Sequence, residues 1–288
     1  MRVPAIVKGR SLIIGTLARQ PLVKFRGDAV IPSDAWMYRT NSDVPPQVRM
    51  AWTIDDLIFY GVSLWAVERS ALGLILDAVR VPYEWWEVSP DLELLVNGVP
   101  VEARDVILFE GPQDGLLEMA QDDIKAARAM TRAWANRVDA PVPLVELHET
   151  SEGSLEDHEI EELVDDWEDA RRRGGTAFTP KSIETKVHGQ TPTDLFVQGR
   201  NAGRLDIANF LALPASLLEG SSAVASLTYS TSTDDRNELV DLSLSYWATP
   251  IEARLSQDDV VPRGQRVGFN LTYLSAPTQP AQGPASED

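Results

Sequence analysis

The chain has 288 residues, with 26 Lys and Arg against 44 Asp and Glu, a formal net charge of −18 and a pI of about 4.6. Hydrophobic residues make up 43% and charged residues 24%, which excludes fibrous and disordered classes and allows one large domain or two ordinary ones. So acidic a surface excludes a phosphate grip of the basic-patch kind, and the lack of Cys excludes disulfides, thiolate metal sites, iron–sulfur clusters and Cys nucleophiles.

The first fifty residues mix apolar, Pro and Gly signals and read as ordered structure or an arm. Arg2, Lys8 and Arg10 precede an apolar run at residues 12–18, but Arg19 cuts it short and no small-x-small site follows, so it does not read as an export signal. This run and the one at 71–76 fall far short of the roughly 20 residues that a spanning helix needs, so no membrane contact is expected. Val44-Pro45-Pro46 is a break. From residue 51 the pattern becomes helical. Thr53 can cap through its hydroxyl, and Leu57, Ile58, Gly61, Leu64 and Trp65 fall at helical spacing. Residues 82–88 alternate like a strand. Residues 92–101 read as a hairpin, because Asn97-Gly98 supplies the two positive-φ positions of a tight turn. Residues 106–109 close this β-rich stretch.

Asp114 is the expected start of a helix with Leu117, Ala120, Ile124, Ala127 and Trp134 on its apolar side, ended by Pro141 and Pro143. A short strand follows at 143–147. Ser154 can cap the next helix, where Ile160, Leu163, Val164 and Trp167 recur at i, i+3, i+4 and i+7. Arg171-Arg172-Arg173-Gly174-Gly175 suits its C-terminus. Residues 174–194 read as a loop with a short β signal at 183–187. A helix over 194–213 ends at Pro214. Residues 220–231 are rich in Ser, Thr and Ala and lack a helical apolar period. A long helix is expected over 234–255, with the stripe Val240, Leu244, Trp247, Ile251 and Leu255 and a kink at Pro250. A turn at 258–264, a strand at 265–274 and a polar, Pro-rich disordered tail complete the chain.

The familiar catalytic patterns are absent: no phosphate-binding Gly-Lys loop, no dinucleotide Gly fingerprint, no zinc-binding His pair on a helix and no nucleophile elbow. The three His, His148, His158 and His188, read as surface or partly buried side chains rather than ligands or bases. Residues 149–169 hold eleven acids and no Lys or Arg. Glu162, Asp165, Asp166 and Asp169 share one helix face, which could hold Mg²⁺ or Ca²⁺. A metal site needs carboxylates converging from different elements, so a solvated face is the simpler reading. The pairs Asp55-Asp56, Asp122-Asp123, Asp234-Asp235 and Asp258-Asp259 fall near expected helix starts or in a turn, where Asp caps. Trp134, Trp167 and Trp247 lie on apolar stripes and read as packing residues. No catalytic residue, metal site or cofactor is expected.

One resemblance spans roughly residues 51–275. Residues 199–221, a helix leading into Pro214-Ala215-Ser216-Leu217-Leu218-Glu219-Gly220, resemble the segment of tailed-bacteriophage portal proteins in which a helix precedes small-Pro-x-x-Leu-Leu-Gly. Residues 236–256, with Tyr246-Trp247-Ala248-Thr249-Pro250 before Arg254, are similar to the family's kinked helix. Ile58 to Trp65 looks like the family's helix with a Gly step. The resemblance implies an α+β portal-like subunit rather than an enzyme. Residues 1–50 would be an N-terminal arm or wing edge and 51–153 an α+β wing. Stem helices would occupy 154–218, with a clip at 174–193 that meets partners through Thr179, Lys181, Lys186, His188 and Gln190. A tunnel loop at 219–232 would place Ser221, Ser222, Ser226, Thr228 and Tyr229 against DNA. The kinked helix and a final strand, 233–275, would leave a reduced crown before the tail at 276–288.

The implied protein is a dodecameric ring at one capsid vertex, present in the host bacterial cytoplasm during assembly. Its implied partners are other copies of itself, the major capsid protein, the large terminase, the head–tail adaptor and double-stranded DNA that passes without sequence-specific binding. Charge agrees with that role. A sliding channel must not hold phosphate tightly, and residues 220–235 contain no Lys or Arg. Two other readings remain open at this point: a different structural virion or scaffold protein, and an acidic metal-dependent hydrolase built on 149–169.

Overall fold

The computed structural model describes residues 3–139, 145–150, 156–172, 183–187, 194–218 and 239–271. The chain divides into two compact units, one formed by Met1–Ala129 with Gly199–Asp288 and the other by Met130–Gln198.

In the first unit the N-terminal stretch is a core element. Helix α1 (Pro4–Leu17) has Pro at its first turn, where the missing N–H costs nothing. It buries Ile6, Ile13 and Leu17, which recur at helical spacing. Gly9 is part of this packing: a Cβ there would lie 2.4 Å from Leu211 Cδ1. Strand β1 (Leu22–Arg26) then pairs antiparallel with β2 (Ala29–Ile31) and, on its other side, with β11 (Arg266–Phe269). A short helix α2 (Ala35–Tyr38) buries Trp36 and Met37.

Helix α3 (Pro46–Tyr60) begins earlier than the sequence pattern suggests, with Pro46 at its first position. Thr53 is therefore mid-helix and does not cap it. Its hydroxyl donates to Arg49 O at 2.8 Å and accepts from Trp65 Nε1 at 2.7 Å. Gly61 at φ 76° ends the helix. The expected continuation through Leu64 and Trp65 is instead strand β3 (Val62–Arg69), paired with β4 (Ile75–Val81) and β8 (Val106–Glu110) in the order β4-β3-β8. Ser63, Leu64 and Trp65 are buried in succession, so the start of the strand shows no two-residue period, and the helical spacing there is coincidence.

The 82–88 segment also differs from expectation. Tyr83–Trp85 forms a 3₁₀ turn, and only Trp86–Val88 (β5) is strand. It pairs with β6 (Leu94–Val96), which pairs with β7 (Val99–Pro100). Asn97 and Gly98, at φ 50° and 75°, make the expected turn between them. These three strands pack a small satellite core of Leu64, Val81 and Val106. Helix α4 (Leu116–Met119) begins at Leu116 rather than Asp114, buries Leu116, and breaks before α5 (Gln121–Asp139).

Asp55 and Asp56 lie inside α3, not at its start. Asp56 is buried and accepts from Arg80 Nε and from Ser63 Oγ, each at 2.8 Å. Burial pushes this carboxyl up, and the Arg80 and Ser63 donors offset part of that. Arg49 is a second buried charge. Its guanidinium donates to Ala78 O at 2.5 Å and Trp36 O at 2.8 Å, and lies 4.4 Å from the Trp65 ring centroid. Desolvation lowers its pKa to about 10. One side chain thereby joins α2, α3, β3 and β4.

Three glycines let two turns touch. Gly111 N–H donates to Gly61 O at 2.7 Å. A Cβ on Gly61 would lie 2.9 Å from Gly115 N, and one on Gly115 would lie 2.4 Å from Phe59 O. The turn out of α3 and the 111–115 turn into α4 are thus in backbone contact, with no space for a side chain.

The second unit contains β9 (Val145–Glu149) paired antiparallel with β10 (Ile183–Val187), with Thr185 opposite Leu147. Both match the short β signals of the sequence. Helix α6 (Asp157–Arg172) carries the acidic run, and Ser154 lies outside the described residues. The expectation that Trp134 packs inside does not hold for this chain alone: it is 45% exposed, whereas Trp247 of the first unit is fully buried.

The glycine contact gives opposite signs for one substitution. Gly115→Ala should lower stability by about 2 kcal/mol or more, since only backbone can yield. Gly15→Ala, in an exposed turn of α1 with nothing near its Cβ, should raise it by about 0.5–1 kcal/mol. Urea midpoints at constant m-value measure both.

Candidate functional site

The candidate site is the junction where the 111–115 turn meets two helices of the first unit. Helix α7 (Asp194–Phe210) ends in an αL residue, Ala212 at φ 51°, and Leu213 N–H closes on Ala208 O at 2.9 Å. Pro214 then separates it from α8 (Ala215–Leu218), which buries Leu218. The break agrees with the sequence.

The expected long helix is described from Leu239 onward. Its first part, Leu239–Leu244, is a π-helical turn, and α9 (Ser245–Leu255) continues from it. Val240, Leu244, Trp247, Ile251 and Leu255 are all buried, as the stripe requires. Ser245 Oγ donates to Val240 O at 3.0 Å, five residues back, which matches the wider turn. Ser243 is fully buried and its hydroxyl has no partner among the described residues. Pro250 lies inside α9, which runs through it to Leu255.

Polar contacts lock these pieces together. Gln113 Nε2 donates to Phe210 O, the last residue of α7, at 2.6 Å. Tyr246 Oη donates to Gln113 Oε1 at 2.9 Å, and burial holds that phenol above its usual pKa. Trp247 Nε1 donates to Leu211 O at 3.0 Å. One amide side chain therefore bridges the end of α7 and the start of α9, and the glycine contact fixes the turn that carries it. At the other end of α9, Arg254 Nε donates to Leu108 O at 3.1 Å, and its two terminal nitrogens reach Asp259 at 3.0 and 2.9 Å. Burial works to raise the Asp259 carboxyl, but the Arg254 fork outweighs it and holds the group below the usual carboxylate range.

The sequence singled out other residues. Lys186 is on β10, opposite Glu146, with its side chain exposed. Thr179, Lys181, His188 and Gln190, and the loop residues Ser221, Ser222, Ser226, Thr228 and Tyr229, lie outside the described residues. Sequence reasoning missed Gln113. Its only signal was the Gly111-Pro112-Gln113-Asp114-Gly115 turn composition, which marks a turn without saying what the turn touches. The α6 acids Glu161, Glu162, Asp165 and Asp166 are exposed on one helix. Among the described residues no group of three or more His, Asp or Glu side chains is placed to hold a metal ion. His158 Nδ1 lies 3.5 Å from Glu156, both exposed.

This arrangement orders helices against small antiparallel sheets in a mixed α+β fold. The chain belongs to the phage portal protein family, whose profile matches residues 4–282. That family is one of structural assembly proteins. An HK97-family phage portal protein from Corynebacterium diphtheriae is 28% identical, with a TM-score of 0.70 and 96% of each chain covered. The fold is also shared by chains in two gene transfer agent (GTA) structures, each 16% identical over 93% of this chain and 81% of the other. These are the neck of an empty particle computed with C6 symmetry, at TM-score 0.69, and the neck of a native particle computed with C12 symmetry, at 0.68. No curated protein matches the sequence.

The bridge is testable as a unit. Tyr246→Phe and Gln113→Leu should each cost about 1 kcal/mol, and the double variant less than their sum by about 0.5 kcal/mol or more, because the two side chains share one hydrogen bond. Strict additivity in a urea-unfolding double-mutant cycle would mean that the two act separately.

Proposed function

We propose that the protein is the ring-forming portal of a phage-like particle, the conduit for double-stranded DNA at one capsid vertex. The observation that carries this reading is the family match over nearly the whole chain, with a portal protein 28% identical across 96% of its length. The fold shared with particle-neck chains supports a ring at a vertex, and the neck computed with C12 symmetry supports twelve copies. The major capsid protein, large terminase and head–tail adaptor are its partners at assembly in the host cytoplasm.

Within that reading, α6 and α7 are the stem, and residues 174–193 are the clip that meets terminase and adaptor through Thr179, Lys181, Lys186, His188 and Gln190. Residues 219–232 are the tunnel loop, with Ser221, Ser222, Ser226, Thr228 and Tyr229 toward DNA, and Pro250 kinks the helix that follows. The physical support is electrostatic. A net charge of −18 and sixteen residues, 220–235, without Lys or Arg let DNA pass without phosphate capture.

Particles assembled without this chain should contain no packaged DNA, and the wild-type chain supplied in trans should restore it, as measured by nuclease-protected DNA. Filled particles in its absence would refute the portal reading. Ser222→Lys with Ser226→Lys should slow packaging in a DNA-protection time course, because each added cation makes a phosphate contact. Unchanged rates would remove the tunnel-loop assignment while leaving the portal reading in place.

A further inference from the structure

An aromatic corner stands on the first unit between α3 and β5. The Tyr60 and Tyr83 rings stack with centroids 3.8 Å apart and planes 3° from parallel. Trp86 meets Tyr83 edge-on at 5.8 Å and 78°. Tyr83 thus has one face covered and is held from the side, yet it remains 36% exposed, and Trp85 beside it is 56% exposed. The Trp85 backbone is fixed: its N–H donates to Pro82 O at 3.0 Å and its carbonyl accepts from Asn97 N at 2.7 Å. An indole held open on a fixed backbone is a ready contact rather than part of the core.

The corner lies in a negative field. Residues 83–105 carry Glu84, Glu87, Asp91, Glu93, Glu102 and Asp105 against Arg104 alone, which pairs with Glu102 at 2.9 Å. The cations nearest the stack are taken: Arg10 pairs with Asp55, and Arg80 with Asp56. Glu84 makes no ion pair among the described residues. The Tyr60 phenol is held above its usual pKa by burial first, then by the charges of Glu84 and Asp56. So the field of Glu84 reaches the rings.

We propose that Tyr83, Glu84 and Trp85 form a docking point for an arginine-bearing segment of another protein. A guanidinium is planar, stacks on an aromatic face, and forms charge-assisted bonds to a carboxylate, so it uses both parts of this corner. A Lys ammonium is a strongly hydrated point charge without a planar face to stack, so it meets the carboxylate but uses the rings less well. A second copy of this chain brings a net charge of −18 to an acidic surface, so charge favours a basic partner over self-contact.

The test uses the full chain near 0.15 M salt, where long-range attraction is screened to about 8 Å. Anisotropy of a labelled Gly-Arg-Gly-Arg-Gly-Arg-Gly peptide is compared with that of its Lys counterpart. The Arg peptide should bind at least about threefold more tightly. Trp85→Ser and Glu84→Gln should each abolish that preference, and Glu161→Gln on α6, which removes the same charge elsewhere, should keep it. Equal affinity for the two peptides would overturn the proposal, as would an equal loss in Glu161→Gln. So would peptide binding that survives Trp85→Ser while sedimentation shows the chain's own assembly lost, since a second copy would then be the occupant.

Discussion

The contact between Gly61, Gly111 and Gly115 is the constraint on which the first unit depends. Backbone meets backbone there, and a Cβ at Gly115 would sit 2.4 Å from Phe59 O. The contact joins the end of α3 to the turn between β8 and α4. That turn carries Gln113, and Gln113 holds both the last carbonyl of α7 and the hydroxyl of Tyr246. A packing requirement at the end of α3 thus becomes a positional requirement on two helices.

Charge is handled differently inside and outside. Inside, Arg49 and Asp56 are both held by polar partners. Arg49 is spread over two carbonyls and an indole face, and Asp56 is met by Arg80 and Ser63. Removing one partner from such a site costs far more than the pair contributes, so these residues specify the arrangement of α2, α3 and the β4-β3-β8 sheet more than they add to its stability. Outside, acids dominate, and α6 presents them to solvent beside the half-exposed Ile160 and Val164.

Legibility in the sequence followed the range of the interactions. Local signals worked: Asn97-Gly98 for the hairpin turn, Pro214 for the break after α7, the stripe from Val240 to Leu255 and the β signal at 183–187. The mixed α+β class followed from these, and the family from the order of several weak segments. Where an element is set by distant partners, reading failed. Helix α1 was legible only as ordered structure or an arm, because the residues it packs on, Leu211 and Leu213 among them, lie far along the chain. Strand β3 resembled the end of a helix because Gly61 as a stop and Gly61 as a small helix residue look alike in one dimension. Arg49 carried no signal, and Gln113 none beyond the turn around it, since their roles lie in carbonyls 29 and 97 residues away along the chain. The π-helical turn at Leu239–Leu244 was equally invisible, as the apolar stripe passes through it almost unchanged.

The central claim is that this chain is a portal ring subunit. The direct measurement is negative-stain imaging of the purified full chain, with its mass from light scattering. A ring with a central hole and about a dozen copies, the number of the native-particle neck symmetry, is the predicted result. A population that stays monomeric at every concentration, and that also fails to form rings when co-expressed with its capsid protein, would contradict it.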